Sequence, residues 1–158
     1  DEYRLSVLAG YKRSKAEVLA RMEQRKQSKS QPQKQEDSYI SLTELARNHS
    51  KNTPGYVIQS WLRSENTLAF LNLWEQENNP DYREAGYIEL LEKKKTASFT
   101  LTPKLWIEKT KATGIASKQG KGGGTFAHPM IGCEFASWIS PEFKMLLLKL
   151  SLGREQVR

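Results

Sequence analysis

Cysteine is almost missing from this chain. Cys133 stands alone among 158 residues, which excludes an internal disulfide and leaves no Cys-x-x-Cys pair for zinc. Histidine is as scarce, with His49 and His128 only, too few to build a structural metal site without cysteine partners. No apolar run approaches the roughly 20 residues of a membrane span. No charged-then-apolar leader opens the chain, and its first residue is Asp1 rather than Met. We therefore read the N-terminus as the edge of a fragment and the setting as cytoplasmic by default. A nucleotide-binding P-loop is also excluded. The run Gln119-Gly120-Lys121-Gly122-Gly123-Gly124 looks like one, but the pattern G-x-x-x-x-G-K-[ST] needs glycine at 115 and a hydroxyl residue at 122. Ile115 and Gly122 stand there instead. We expect no cofactor and no metal.

What is present is a foldable core and an excess of positive charge. Hydrophobic residues make up 37% of the chain and include four tryptophans, enough for one domain with a real interior plus an appendage. The net charge is +7 and the pI about 9.5, which favours a polyanionic partner, because lysine and arginine gain by displacing counterions from phosphates. The charge is uneven. Lys93 to Lys121 holds eight lysines against one acid, Glu108, a net +7; Glu65 to Glu92 holds seven acids against Arg83, a net −6. We read the acidic stretch as a solvated face turned away from any polyanion. Lys93-Lys94-Lys95 reads as a solvated turn.

The chain divides into three parts. Residues 1–37 form an accessory piece: a thin amphipathic helix over Arg4 to Lys26, then a polar tether from Gln27 to Asp37. Residues 38–152 form the domain, and 153–158 a tail. Tyr39-Ile40 reads as a short strand, and Ser41-Leu42-Thr43-Glu44 as a capping box that opens a helix through Ala46. Thr53-Pro54 starts a second helix, with Val57/Trp61 and Ile58/Leu62 pairing at i, i+4. Leu68, Leu71 and Leu73-Trp74 mark a third, ended by Asn78-Asn79-Pro80. Tyr87 to Leu91 is apolar but of open type. Ser98 to Leu101 reads as a brief extended piece. Thr102-Pro103 opens a helix whose Leu105-Trp106-Ile107 cluster is core and which Gly114 closes. Ile115 to Lys118 and Thr125 to Ala127 read as a hairpin around the glycine run. His128-Pro129 starts a helix with Ile131, Phe135, Trp138 and Ile139 on one side and Cys133 buried. Ser140-Pro141 starts a last one through Leu150. The fold class is α+β: several short helices around a small sheet.

Five stretches together resemble the KilA-N domain. They are Tyr39-Ile40-Ser41-Leu42-Thr43-Glu44-Leu45-Ala46, Trp61-Leu62-Arg63-Ser64, Phe70-Leu71-Asn72-Leu73-Trp74-Glu75, Gly123-Gly124-Thr125-Phe126-Ala127-His128, and Phe135 through Lys144 (FASWISPEFK). The resemblance covers Tyr39 to Leu150. That family is typical of bacteria, their phages and large DNA viruses, and is considered related to the fungal APSES DNA-binding domains. The resemblance implies a winged-helix-like architecture, double-stranded DNA as partner, a role in transcription regulation or phage gene control, and a location in the bacterial nucleoid or the phage-infected cell. The sequence departs from the family at two places. A polar stretch stands where relatives carry a strand pair before Tyr39, and the chain stops soon after the Phe143 helix.

The residues then suggest three DNA-contacting regions. In the hairpin, Gly122 and Gly123 remove side chains that would hold a phosphate away, Lys118 and Lys121 bring charge, Gln119 offers a donor and an acceptor for base edges, and Thr125 completes the set. At the next helix, Thr102 and free amides suit a phosphate, with Lys104 and Lys111 extending a basic face and Lys109 near it. On the second helix, Lys51 and Asn52 lie at the start, while Gln59, Arg63 and Ser64 project from it. Which of the two helices reads bases is open. His128 is read as fixing the turn between hairpin and helix, not as a catalytic base. No carboxylate–lysine or histidine–metal constellation appears, so we read the chain as non-enzymatic. A protein-interaction or antitoxin-like module that kept the fold is the alternative, and residues 1–37 are a candidate surface for a homodimer or a protein partner.

Overall fold

The computed structural model describes residues 38–153. The accessory helix and tether expected over 1–37, and most of the tail, lie outside them. Among the described residues there are three strands and seven helices in the order β1 (Ile40–Ser41), α1 (Leu42–His49), α2 (Pro54–Leu62), α3 (Glu65–Asn78), α4 (Glu84–Lys93), α5 (Pro103–Thr110), β2 (Ile115–Lys118), β3 (Gly124–Ala127), α6 (Pro129–Ile139) and α7 (Pro141–Gly153). The fold is α+β.

Local chemistry sets most helix starts. The Ser41 hydroxyl accepts from the Glu44 amide at 3.1 Å, and Thr102 accepts from Leu105 at 3.2 Å. The Nδ1 of His128 accepts from the Met130 amide at 3.1 Å, so a histidine does the work of a serine or aspartate cap. Proline follows the cap in α2, α5 and α6, where its missing N–H costs no helical bond. The capping box at Ser41 is only half formed, because the Glu44 carboxylate turns to Arg47. The helix also runs to His49, past Ala46. Tyr87 to Leu91, open in the sequence, lies inside α4.

The sheet is antiparallel with order β1-β3-β2. Ile40 faces Ala127 in the β1–β3 pair, and Ile115 faces Ala127 in the β2–β3 pair. One edge of β3 thus carries the N-terminal strand and the other carries the hairpin partner. The core centres on Trp61, Trp106 and Phe135, all fully buried, with Leu42, Leu68 and Ile131 around them. Trp61 meets Phe135 edge to face at 5.0 Å between ring centres.

Several sequence readings are corrected. Ser98 to Leu101 joins no ladder; it is a turn and loop whose Leu101 is buried and whose Phe99 packs on the core. Gly114 does not close α5. The helix ends at Thr110, and Lys111 takes the left-handed conformation at φ 55°. Gly114 is small for a different reason: a Cβ there would stand 2.5 Å from Ile131 and 2.8 Å from the Trp74 ring. Trp138 shares the helical face of Phe135 and stacks beside it, yet is 45% exposed, and Cys133 is only half-buried. Within the Leu105-Trp106-Ile107 cluster Trp106 is fully buried while its neighbours are half-buried at the margin of the core.

Candidate nucleic-acid interface

The hairpin is short and firmly seated. Its base is the Thr113–Gly114 turn, held from three sides. The Glu75 carboxylate accepts from the Thr113 amide at 2.6 Å and the Gly114 amide at 2.7 Å. The Tyr39 hydroxyl donates to the Thr113 carbonyl at 2.7 Å, and the His128 amide donates to the Gly114 carbonyl at 2.9 Å. Asn79 adds to the cluster, donating to Glu75 at 3.3 Å and to the Lys111 carbonyl at 2.8 Å. Glu75 is 1% exposed, so it is the exception to the solvated acidic face expected from the sequence. Burial pushes its carboxyl above the ordinary carboxylate value, and the Gly114, Thr113 and Asn79 donors pull back the other way. Sequence reasoning missed this residue. The available signal was its position seven residues after Leu68 and four after Leu71, on the buried stripe of α3.

From that base the strands run to a tip at Gln119 to Gly123. Gln119, Gly120, Lys121 and Gly122 are exposed. Gly120, Gly122 and Gly124 have φ of 88°, 75° and 137°, a region that side chains disfavour. Gly123 closes the turn by donating to the Gly120 carbonyl at 2.9 Å. Gly124 also lies where a Cβ would stand 2.6 Å from the Thr43 hydroxyl, and that hydroxyl accepts the Thr125 amide at 2.9 Å. Thr125 is buried at 8% exposure and serves to moor β3 to α1, so its side chain is not offered to solvent as the sequence reading placed it. Lys118 is exposed, its ammonium 5.3 Å from the centre of the Phe126 ring.

The α5 residues divide. Lys104 is exposed in the first turn and Lys111 is exposed just past the last, separated by the length of the helix. The Thr102 hydroxyl is already engaged in capping its own helix. Lys109 is not part of a free basic face, because it pairs with Glu89 on α4 at 3.1 Å. Glu89 also takes Lys93 at 3.3 Å, and these lysines hold its carboxyl below the usual range.

The α2 residues likewise lie at two ends. Lys51 and Asn52 precede the helix; Arg63 and Ser64 follow it. Ser64 caps α3, accepting from Thr67. The Arg63 guanidinium lies 6.0 Å from the Tyr56 ring centre, and the Arg63 carbonyl accepts from Lys94. Because Val57, Ile58, Trp61 and Leu62 are buried, the outward face of α2 consists of Tyr56, Gln59, Ser60 and Arg63. A groove of about 320 Å³ opens beside it, lined by His49, Asn52, Tyr56, Ser60 and the exposed Trp138 among others. The sequence reading did not single out Tyr56, Ser60 or Trp138.

The described lysines differ in their pairing. Ion pairs take Arg47, Lys93, Lys95 and Lys109, while Lys104, Lys111, Lys118 and Lys121, and elsewhere Lys51, Lys144 and Lys149, are exposed and in no ion pair. No group of His, Cys, Asp and Glu among the described residues is placed to hold a metal ion, and none of their helices is long and apolar enough to cross a membrane.

A three-stranded sheet set among short helices, with a glycine-tipped, lysine-bearing hairpin facing solvent, defines a small α+β domain with an exposed basic hairpin. The chain belongs to the KilA-N domain family, whose model matches residues 23–152. That match begins within the segment read as an appendage. Protein kilA of Escherichia phage P1 is 46% identical over 50 residues, 29% of this chain and 19% of that protein, so the shared stretch spans about a fifth of the relative's length. No solved structure matches.

Proposed function

We propose that this domain binds double-stranded DNA, with the β2–β3 hairpin lying against the backbone as a wing. One observation carries the reading: Lys104, Lys111, Lys118 and Lys121 stand exposed and outside any ion pair on the hairpin and on the helix before it, while Lys93 and Lys95 at the end of α4 are held by Glu89 and Glu92. A cation already paired releases little counterion on meeting a phosphate, and a free one releases nearly a full ion. Family membership supports the same partner. The sheet order, with β1 and β2 flanking β3 and a helix immediately before the hairpin, supports a winged-helix reading. We take α5 or the outward face of α2 as the element that reaches bases, through Lys104 and Lys111 or through Gln59 and Arg63. The activity is binding without chemistry, in transcription regulation or phage-type gene control, in the cytoplasm or nucleoid.

A second reading has an observation of its own. The exposed leucine-rich face of α7 fits a protein contact, the role of an antitoxin-like or interaction module. Selection from a random duplex pool separates the two. Enrichment of a motif supports the DNA reading; recovery of no sequence, together with no retention at low salt, leaves only the protein-contact reading.

A further inference from the structure

Exposed aromatic rings and unopposed charge meet at one place away from the hairpin. Tyr56 on α2 is 53% exposed, and Trp138 at the end of α6 is 45% exposed. Both line the groove of about 320 Å³ that also takes in His49, Asn52 and Ser60. The other three tryptophans, Trp61, Trp74 and Trp106, are buried. Trp138 is fixed all the same, because its ring stacks on the buried Phe135 at 6.5 Å between centres. A ring that is held in place yet uncovered is a platform that a flat ligand can meet at little ordering cost.

The polar lining is equally specific. Asn52 is exposed, and Ser50 takes its backbone amide at 3.1 Å. Its carboxamide, both donor and acceptor, is engaged by no described residue. The sequence from Leu45 to Ser64 contains Arg47, Lys51 and Arg63 but no acid. The Arg63 guanidinium lies 6.0 Å from the Tyr56 ring centre. Glu134, one turn before Trp138 on α6, does not line the groove. Rings for a π-face, a carboxamide for a polar edge and cations for a phosphate are the three groups that recognise an unstacked nucleotide. A Pro-rich peptide also packs on rings, but it brings no charge for Lys51 and Arg63 to meet.

We propose that this groove holds an unpaired base of the bound DNA, stacked on Trp138 and Tyr56 with Asn52 at its polar edge. This rests on the DNA reading and names its preferred ligand, a duplex carrying an unpaired nucleotide. A base inside a perfect duplex has both faces covered by its neighbours, whereas an unpaired one leaves the stack at least cost. The groove, at about 320 Å³, is at the small end of ligand pockets, which run from about 300 to 1,000 Å³, and suits one flat base. Helix α1 joins it to the hairpin: Thr43 moors β3, and His49 lines the groove six residues on, about 9 Å along the axis. One DNA can meet both.

Three matched duplexes test it with the intact chain: fully paired, with one extra unpaired adenine, and with that extra position abasic. The unpaired adenine is expected to bind about tenfold more tightly than the abasic site, the worth of one base–aromatic stack. Trp138→Ala should bring that ratio close to one, and Trp138→Phe should restore part of it. The ratio is internal to each variant, so a folding defect, which weakens all three duplexes alike, does not imitate the result. Tryptophan emission of the parent chain gives a reading without substitution, because Trp138 is the one exposed tryptophan. The unpaired adenine should quench it and shield it from acrylamide, and the abasic duplex should not. Equal affinity for the adenine and abasic duplexes overturns the proposal while salt-dependent binding of the paired duplex keeps the DNA reading, and the groove is then left to a protein contact. A preference that survives Trp138→Ala in a folded variant, or emission unchanged by the adenine, overturns it too. No binding to any of the three removes the DNA reading and this proposal together.

Discussion

Glu75 shows how much one side chain can organise. It lies on an acidic stretch but faces inward, and its oxygens receive the two amides that start the hairpin. Glu75→Ala leaves those donors without a partner in a largely dry site, at about 1–3 kcal/mol for each. We expect a loss of about 2–4 kcal/mol in urea unfolding. The pH dependence follows from the direction of the shift. A carboxyl whose folded value is raised binds its proton more readily in the native state. Its contribution is therefore fully present below the ordinary carboxylate value and is lost as pH rises through the raised one. Stability measured over a mildly acidic pH series should fall with rising pH in that window, and Glu75→Gln should remove that component; an unchanged slope in the variant would assign the dependence to other groups. The glycines of the tip offer a graded comparison. Gly122 meets open space, so Gly122→Ala carries only the left-handed penalty of about 1–2 kcal/mol. Gly124→Ala adds a collision with Thr43 and should cost more in the same assay.

At the scale of elements, the hairpin and α5 carry the lysines on which the proposed DNA binding rests. Lys118→Ala/Lys121→Ala should flatten the salt dependence of DNA affinity by about two units of log–log slope, near 0.9 for each contact. Lys109→Ala is the matched control, because Glu89 already holds that ammonium, and its slope should stay within the error of the parent. Helix starts were legible from the sequence because capping is local chemistry: Ser41, Thr53-Pro54, Thr102-Pro103, His128-Pro129 and Ser140-Pro141 each precede a helix. The hairpin was legible for the same reason, through its glycines. What escaped depends on packing between distant segments. Gly114 looked like a helix terminator and is a spacer between Trp74 and Ile131. Lys109 looked like part of a basic face until α4 brought Glu89 beside it. Thr125 looked exposed at a hairpin end and is tied to Thr43 of α1, 82 positions away in the chain. Trp138 kept the helical period of its buried neighbours, but the period does not say where the core stops.

For the whole molecule, charge is sorted by surface. Glu89 and Glu92 of α4 hold Lys93, Lys95 and Lys109, while Lys104, Lys111, Lys118 and Lys121 of α5 and the hairpin stay outside any ion pair. The most direct measurement of the central claim is a salt titration of duplex DNA binding by the intact chain. We predict that log K falls linearly with log[salt], with a slope between about −3 and −4 if Lys104, Lys111, Lys118 and Lys121 each meet a phosphate. No binding at low salt, or an affinity indifferent to salt, would contradict the account.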